Sequence, residues 1–98
     1  MSQYAFCQIV SNINQLVAAG NITDSEGYSL SQWDSDGFVG WDVGLNTYFL
    51  QLDIGEPPAW WIIEPEGIQT FSDLCDVINE IFGQPPGVFA FQNVISQS

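Results

Sequence analysis

Apolar positions recur at helical spacing near both ends of the chain and at strand spacing between them. From Gln3 to Ala19, the residues Phe6, Ile9, Val10, Ile13, Leu16 and Val17 fall at i, i+3, i+4, i+7, i+10 and i+11. This is the buried stripe of an amphipathic helix, with Gly20-Asn21 as its stop signal. Its opposite face holds Gln8, Ser11, Asn12 and Gln15, so the helix is a core element without charge. A β region follows. Tyr28 to Ser31 alternates, Asp34-Ser35-Asp36-Gly37 reads as a hairpin turn, and Phe38 to Val43 reads as a second strand. Thr47 to Ile54 is a third strand, with Tyr48, Leu50, Leu52 and Ile54 on one side. Gly55-Glu56-Pro57-Pro58 interrupts the sheet before a fourth strand from Ala59 to Ile63.

A second helical stripe, Leu74, Cys75, Ile78, Ile81 and Phe82, begins after Thr70 and Asp73, which are spaced like the start of a capping box with Asp in place of Glu. Gly83 and Pro85-Pro86 end it. In the tail from Gly87 to Ser98, Val88, Phe91, Val94 and Ile95 suit a short helix, whereas Val88 to Phe91 suits an edge strand; the helix is the preferred reading. The predicted fold class is therefore α+β. It comprises an N-terminal helix, an antiparallel sheet of three to four strands arranged as a meander, a second helix and a short C-terminal helix or strand, in a single domain over residues 1–98.

Composition changes the picture in one respect. The chain has twelve Asp and Glu and no Lys, Arg or His. Charged residues are 12% of the total, against about 25% in an ordinary domain, so the acidity comes from removing bases rather than adding acids. Adaptation to high salt would instead enrich carboxylates. With 46% apolar residues, including seven Phe, four Trp and three Tyr, the chain can bury enough surface to fold, unlike a disordered acidic tail. No apolar run reaches the roughly 18 residues that span a bilayer, and MSQYAFCQIV lacks the positive start of a signal peptide, so a cytoplasmic protein is expected.

Without a side-chain cation, each carboxylate must be hydrated, capped by N–H groups, bound to a metal ion or matched by a basic surface on another molecule. Direct binding of nucleic acid or an anionic membrane is disfavoured, because phosphate contacts need Lys or Arg. A basic protein partner is favoured, by electrostatic capture; a homodimer remains open. Catalysis has little to work with. There is no imidazole or lysine to act as a base near neutral pH, no Ser-His or Cys-His pair and no histidine for zinc, so no enzyme activity and no cofactor are expected. Cys7 and Cys75 read as small buried hydrophobes; a bridge between them would require their two helices to lie side by side.

Three stretches are candidate contact sites. In QWDSDGFVGWDVG, an EF-hand loop with Gly37 at position six would start at Gln32 and end at Val43, so its first ligand and bidentate acid are both missing. Asp34 and Asp36 are instead expected on a turn, with Asp42 farther along. On the second helix Asp73, Asp76 and Glu80 lie at i, i+3 and i+7. They are about 4.5 and 6 Å apart along the axis, a row closer to phosphate spacing than to a catalytic pair. Trp60 and Trp61 are consecutive on a strand and point to opposite faces, so Trp61, flanked by Glu56, Glu64 and Glu66, is a candidate aromatic anchor.

Asp34, Asp36, Asp42, Glu64, Glu66, Asp73, Asp76 and Glu80, in a chain of this size without bases, give it a general character that resembles small phage-encoded DNA-mimic proteins of the anti-restriction and anti-CRISPR type. The resemblance is one of composition over the whole chain. It implies a viral, non-enzymatic inhibitor in the host cytoplasm that blocks the basic nucleic-acid channel of a CRISPR effector or DNA-acting defence enzyme. It does not transfer a fold. Two other readings use the same charge: an immunity protein or antitoxin that caps a basic nuclease toxin, and a calcium-responsive binding module.

Overall fold

The computed structural model describes residues 2–95 and has the α+β class. Its elements are β1 (Ser2–Ala5), α1 (Phe6–Ile9), α2 (Ile13–Ala19), α3 (Leu30–Asp36), β2 (Gly37–Asp42), β3 (Thr47–Leu52), β4 (Trp60–Ile62) and α4 (Phe71–Ile81). The four strands form one antiparallel sheet in the order β1-β2-β3-β4. Strands β2, β3 and β4 and helix α4 lie where the hydrophobic pattern puts them. Thr70 caps α4 by accepting the Asp73 N–H at 3.0 Å, and the helix stops at Phe82-Gly83.

The first predicted helix is divided. Tyr4 and Ala5 pair with Val39 and Phe38 as strand β1, and the helix that follows breaks at Val10. There the backbone turns to the C-terminal tail: Ser11 N–H donates to Ala90 O (2.8 Å) and Gln92 N–H to Ile9 O (2.8 Å). The helical stripe is still buried through Phe6, Ile9, Val10 and Ile13, but long-range pairing overrides local propensity at both of its interruptions. The tail is neither helix nor strand among the described residues; it turns and bends through residues 87–89 and then makes an isolated bridge between Val10 and Phe91. Residues 96–98 of the tail lie outside them.

The predicted strand at Tyr28–Ser31 and the turn at Asp34–Gly37 are also replaced. Ser29 and Gln32 close a capping box: Ser29 Oγ accepts the Gln32 N–H (3.2 Å) and Gln32 Oε1 accepts the Ser29 N–H (2.9 Å). This nucleates α3, whose last turn contains Asp34 and Asp36. The β hairpin turn lies later, at Val43–Asn46, where Asp42 Oδ1 accepts the Leu45 N–H (3.1 Å).

The core occupies one side of the sheet. Val39, Trp41, Tyr48, Leu50 and Leu52 cluster with Leu74, Ile78 and Ile81 of α4. Phe6, Trp33 and Phe82 form an aromatic triangle with ring centroids 5.2–5.9 Å apart. Gly37 lets this triangle close: a Cβ there would sit 2.4 Å from Trp33 O, 2.7 Å from Trp33 Cε3 and 3.1 Å from Phe6 Cβ. Helix α4 thus crosses the sheet from the Tyr48 end, where Phe71 packs on Tyr48, to the Phe6 end.

Candidate acidic interface

The carboxylates are confined to residues 24–80, and the two uncharged ends of the chain are joined in space. Asn12 ties them: its Nδ2 donates to Val88 O (2.9 Å) and its Oδ1 accepts the Ala90 N–H (3.0 Å). The exposed residues of these joined segments, among them Gln8, Ser11, Ala90 and Gln92, carry no charge.

Asp73, Asp76 and Glu80 are all exposed on α4, while Leu74, Ile78 and Ile81 are buried. At 100° per residue the three acids fall within an arc of about 60° opposite the buried stripe, over an axial length of about 10 Å. They form one row that points away from the sheet. Local energetics do not favour this arrangement. Asp73 in the first turn suits the helix dipole, but Glu80 sits in the last turn, at the negative end, where a cation would be stabilising by about 0.3–1 kcal/mol. Asp76 and Glu80 also repel at i, i+4. Two of the three acids are thus kept against helix stability.

The other predicted residues are not gathered with this row. Asp36 is exposed and Asp34 half-buried at the end of α3. Asp36 O accepts the Asp53 N–H at 2.9 Å, which places Asp36 and Asp53 together at one end of the sheet. Asp42 lies six residues from Asp36 at the far end of β2, about 20 Å away. Glu64 and Glu66 are exposed near that far end, where Glu66 N–H donates to Leu45 O (2.9 Å). Asp34, Asp36 and Asp42 therefore do not form a hairpin cluster: α3 separates the first two from the turn that follows Asp42. Trp61 is 59% exposed, on the side of the sheet opposite α4. Among the described residues no group of three or more His, Cys, Asp or Glu could hold a metal ion. A cleft of about 150 Å³ between α2 and α3 is lined by no carboxylate, and one of about 170 Å³ beside Tyr48 and Ile68 is lined by Glu64.

Asp24 escaped the sequence reading. It is buried, at 4% exposure, and organises the loop before α3. Its Oδ1 accepts the N–H groups of Glu26 (2.8 Å) and Tyr28 (3.0 Å), and its Oδ2 accepts Trp33 Nε1–H (2.8 Å). The Asp-Ser-Glu-Gly sequence at 24–27 is a turn signal that was available in the sequence; the indole partner was not.

The cysteines are both free, Cys7 exposed and Cys75 half-buried, so the expectation of two buried thiols fails at Cys7, which lies beyond the edge of the buried stripe. Burial, with a contribution from Asp76, pushes the Cys75 thiol up from 9.0 to about 11. At pH 8 its alkylation by iodoacetamide is expected to be about 100-fold slower than that of an unperturbed thiol, because the thiolate fraction falls about tenfold for each unit by which the pKa is raised. Site-resolved mass spectrometry of the labelled protein measures this; an ordinary rate at Cys75 would contradict it. Since the folded state favours the neutral thiol, any contribution to stability is full below pH 9 and declines as pH rises towards 11.

No helix among the described residues is long and apolar enough to cross a membrane. Comparison of the chain with protein-family models, curated proteins and solved structures finds no match.

Proposed function

We propose that the chain is a non-enzymatic inhibitor whose acidic surface mimics nucleic acid and occupies the basic DNA- or RNA-binding channel of a defence complex, in the manner of anti-CRISPR and anti-restriction proteins. The observation that carries this reading is the row Asp73, Asp76 and Glu80 on the outer face of α4. It is exposed and lacks any interleaved base, and its last member, Glu80, is retained against the helix dipole. A solvated face selected for stability alone would alternate the sign of charge and place a cation in the last turn. Duplex DNA carries roughly one negative charge per 1.7 Å of axis; a short fixed row offers part of that field on a scaffold that cannot be cut or unwound. Inhibition is then competition for the channel, steric and electrostatic together, and needs no chemistry on either side.

The test is capture of host proteins on the immobilised chain at low and moderate salt, with duplex DNA added as competitor. Recovery of a nucleic-acid-binding complex that DNA releases is the expected result. Recovery of a complex indifferent to DNA would remove the basis for mimicry, and recovery of one small toxin would favour the immunity-protein reading.

A further inference from the structure

We propose that the row of Trp61, on the face of the sheet opposite α4, is a second contact surface for a protein site that offers an apolar slot between two basic rims. It does not depend on the mimic reading, because α4 and its acidic row lie on the other side of the sheet.

Alternation along β4 turns Trp60 and Ile62 toward the core and Trp61 away from it. Register then aligns Ala5, Phe38, Gln51 and Trp61 in one row across all four strands, with Gly40 and Phe49 side by side in the next. The row of Trp61 reaches solvent, with Trp61 59% exposed and Ala5, Phe38 and Gln51 half-buried, whereas Gly40 and Phe49 in the next row are buried although Phe49 stands outside the core cluster on the opposite side. An antiparallel sheet that faces water on one side ordinarily carries a polar outer face. Here the interior of that face has no charge and displays an indole that is 59% exposed.

The ends of the face identify the occupant. Asp42 alternates onto it at one end of β2; Asp36 and Asp53, joined through the Asp53 N–H, close the other, about 20 Å away. A second copy docking here would bring these carboxylates against their own kind with no Lys, Arg or His to pair them. A partner with Lys or Arg on both sides of an apolar slot satisfies both rims and desolvates the indole, the arrangement of a buried anchor within a polar rim.

The test uses a heptapeptide with Leu-Phe-Leu at its centre and two lysines at each end, and a counterpart with serines for the lysines. Amide shifts in the protein and acrylamide quenching of its tryptophans are followed during titration. The lysine peptide is expected to shift amides of β2, β3 and β4 and to shield Trp61. Trp61→Ser is expected to weaken binding at least tenfold, with thermal melts confirming that the variant is folded at the titration temperature. Removing the rim charges with Asp36→Asn, Asp42→Asn and Asp53→Asn is expected to weaken it comparably. Reversal of the α4 row to lysine reports on that row alone and is expected to change this binding less than about threefold. Equal binding of the serine peptide, normal binding by Trp61→Ser, or shifts centred on α4 would each overturn the proposal without touching the mimic reading. So would sedimentation as a dimer that Trp61→Ser disperses, since the occupant would then be a second copy.

Discussion

A variant carrying Asp73→Lys, Asp76→Lys and Glu80→Lys is expected to bind the partner captured by the wild-type chain about 100-fold more weakly or worse, while melting no lower than the wild type. The loss follows from presenting three cations to a basic channel in place of three anions, since charge pairs at interfaces are worth about 1.5 kcal/mol or more each and like charges cost energy. The retained stability follows from the fold. All three side chains are exposed and none makes a side-chain hydrogen bond that α4 needs; the Thr70 cap receives the Asp73 backbone N–H, which lysine keeps. Lysine at position 80 complements the helix dipole where glutamate opposes it, which offsets the loss of Asp73 from the first turn, and the net charge falls from −12 to −6, which relieves self-repulsion. Binding by surface plasmon resonance, beside thermal melts by circular dichroism, reads both halves. Unchanged affinity would show that the partner does not touch α4. A large fall in melting temperature would show that the row has a structural role.

Asp24→Ala is expected to lower stability by about 2–3 kcal/mol, or about 10–20 °C in melting temperature for a domain of this size. The carboxylate is the acceptor for three donors, and its removal leaves the Trp33 indole N–H buried without one. Trp33 is fully buried and packs on Phe6 and Phe82, so it has little freedom to reach water. Asp24→Asn offers no rescue: whichever way the amide turns, its NH₂ faces either the indole N–H or the two backbone N–H groups. Glu26→Gln, on the same loop, serves as the control, because only the Glu26 backbone takes part and surface changes of this kind stay within about 0.5 kcal/mol. Removing any acid lessens the net charge, so a loss specific to Asp24 cannot arise from long-range electrostatics. An asparagine variant that melted with the wild type would mean that the bonds lost on one side of the carboxylate, to the indole or to the two backbone N–H groups, contribute nothing measurable.

Helix α4 and strands β2 and β3 were legible because each carries its own signals. Thr70 and Gly83 bound a stripe from Leu74 to Phe82, and Tyr48, Leu50 and Leu52 alternate toward the core side of the sheet. The acidic row on α4 was legible for the same reason: helical periodicity alone puts Asp73, Asp76 and Glu80 opposite Leu74 and Ile78. The capping box at Ser29 and Gln32 was missed, because the alternation at Tyr28–Ser31 and the Asp-Gly pair at 36–37 pointed to a strand and a turn. In the structure the cap prevails, because Leu30 and Trp33, one helical turn apart, both reach the core.

Local sequence thus determined the absence of every base, the identity of α4 and its charged row, and the two central strands, since each depends on residue type or on spacing within a few turns. Tertiary structure decided what depends on partners far along the chain. Pairing with β2 made residues 2–5 a strand instead of the start of a helix, and the tail at Ala90–Gln92 interrupted the helical stripe at Val10. The Trp33 indole gave the buried Asp24 its partner, and the sheet set Trp61 on the opposite side from the α4 row. Propensity is a few tenths of a kcal/mol per residue, and a buried hydrogen bond or a packed aromatic side chain outweighs it; where those contacts are distant in sequence, the local pattern yields to them.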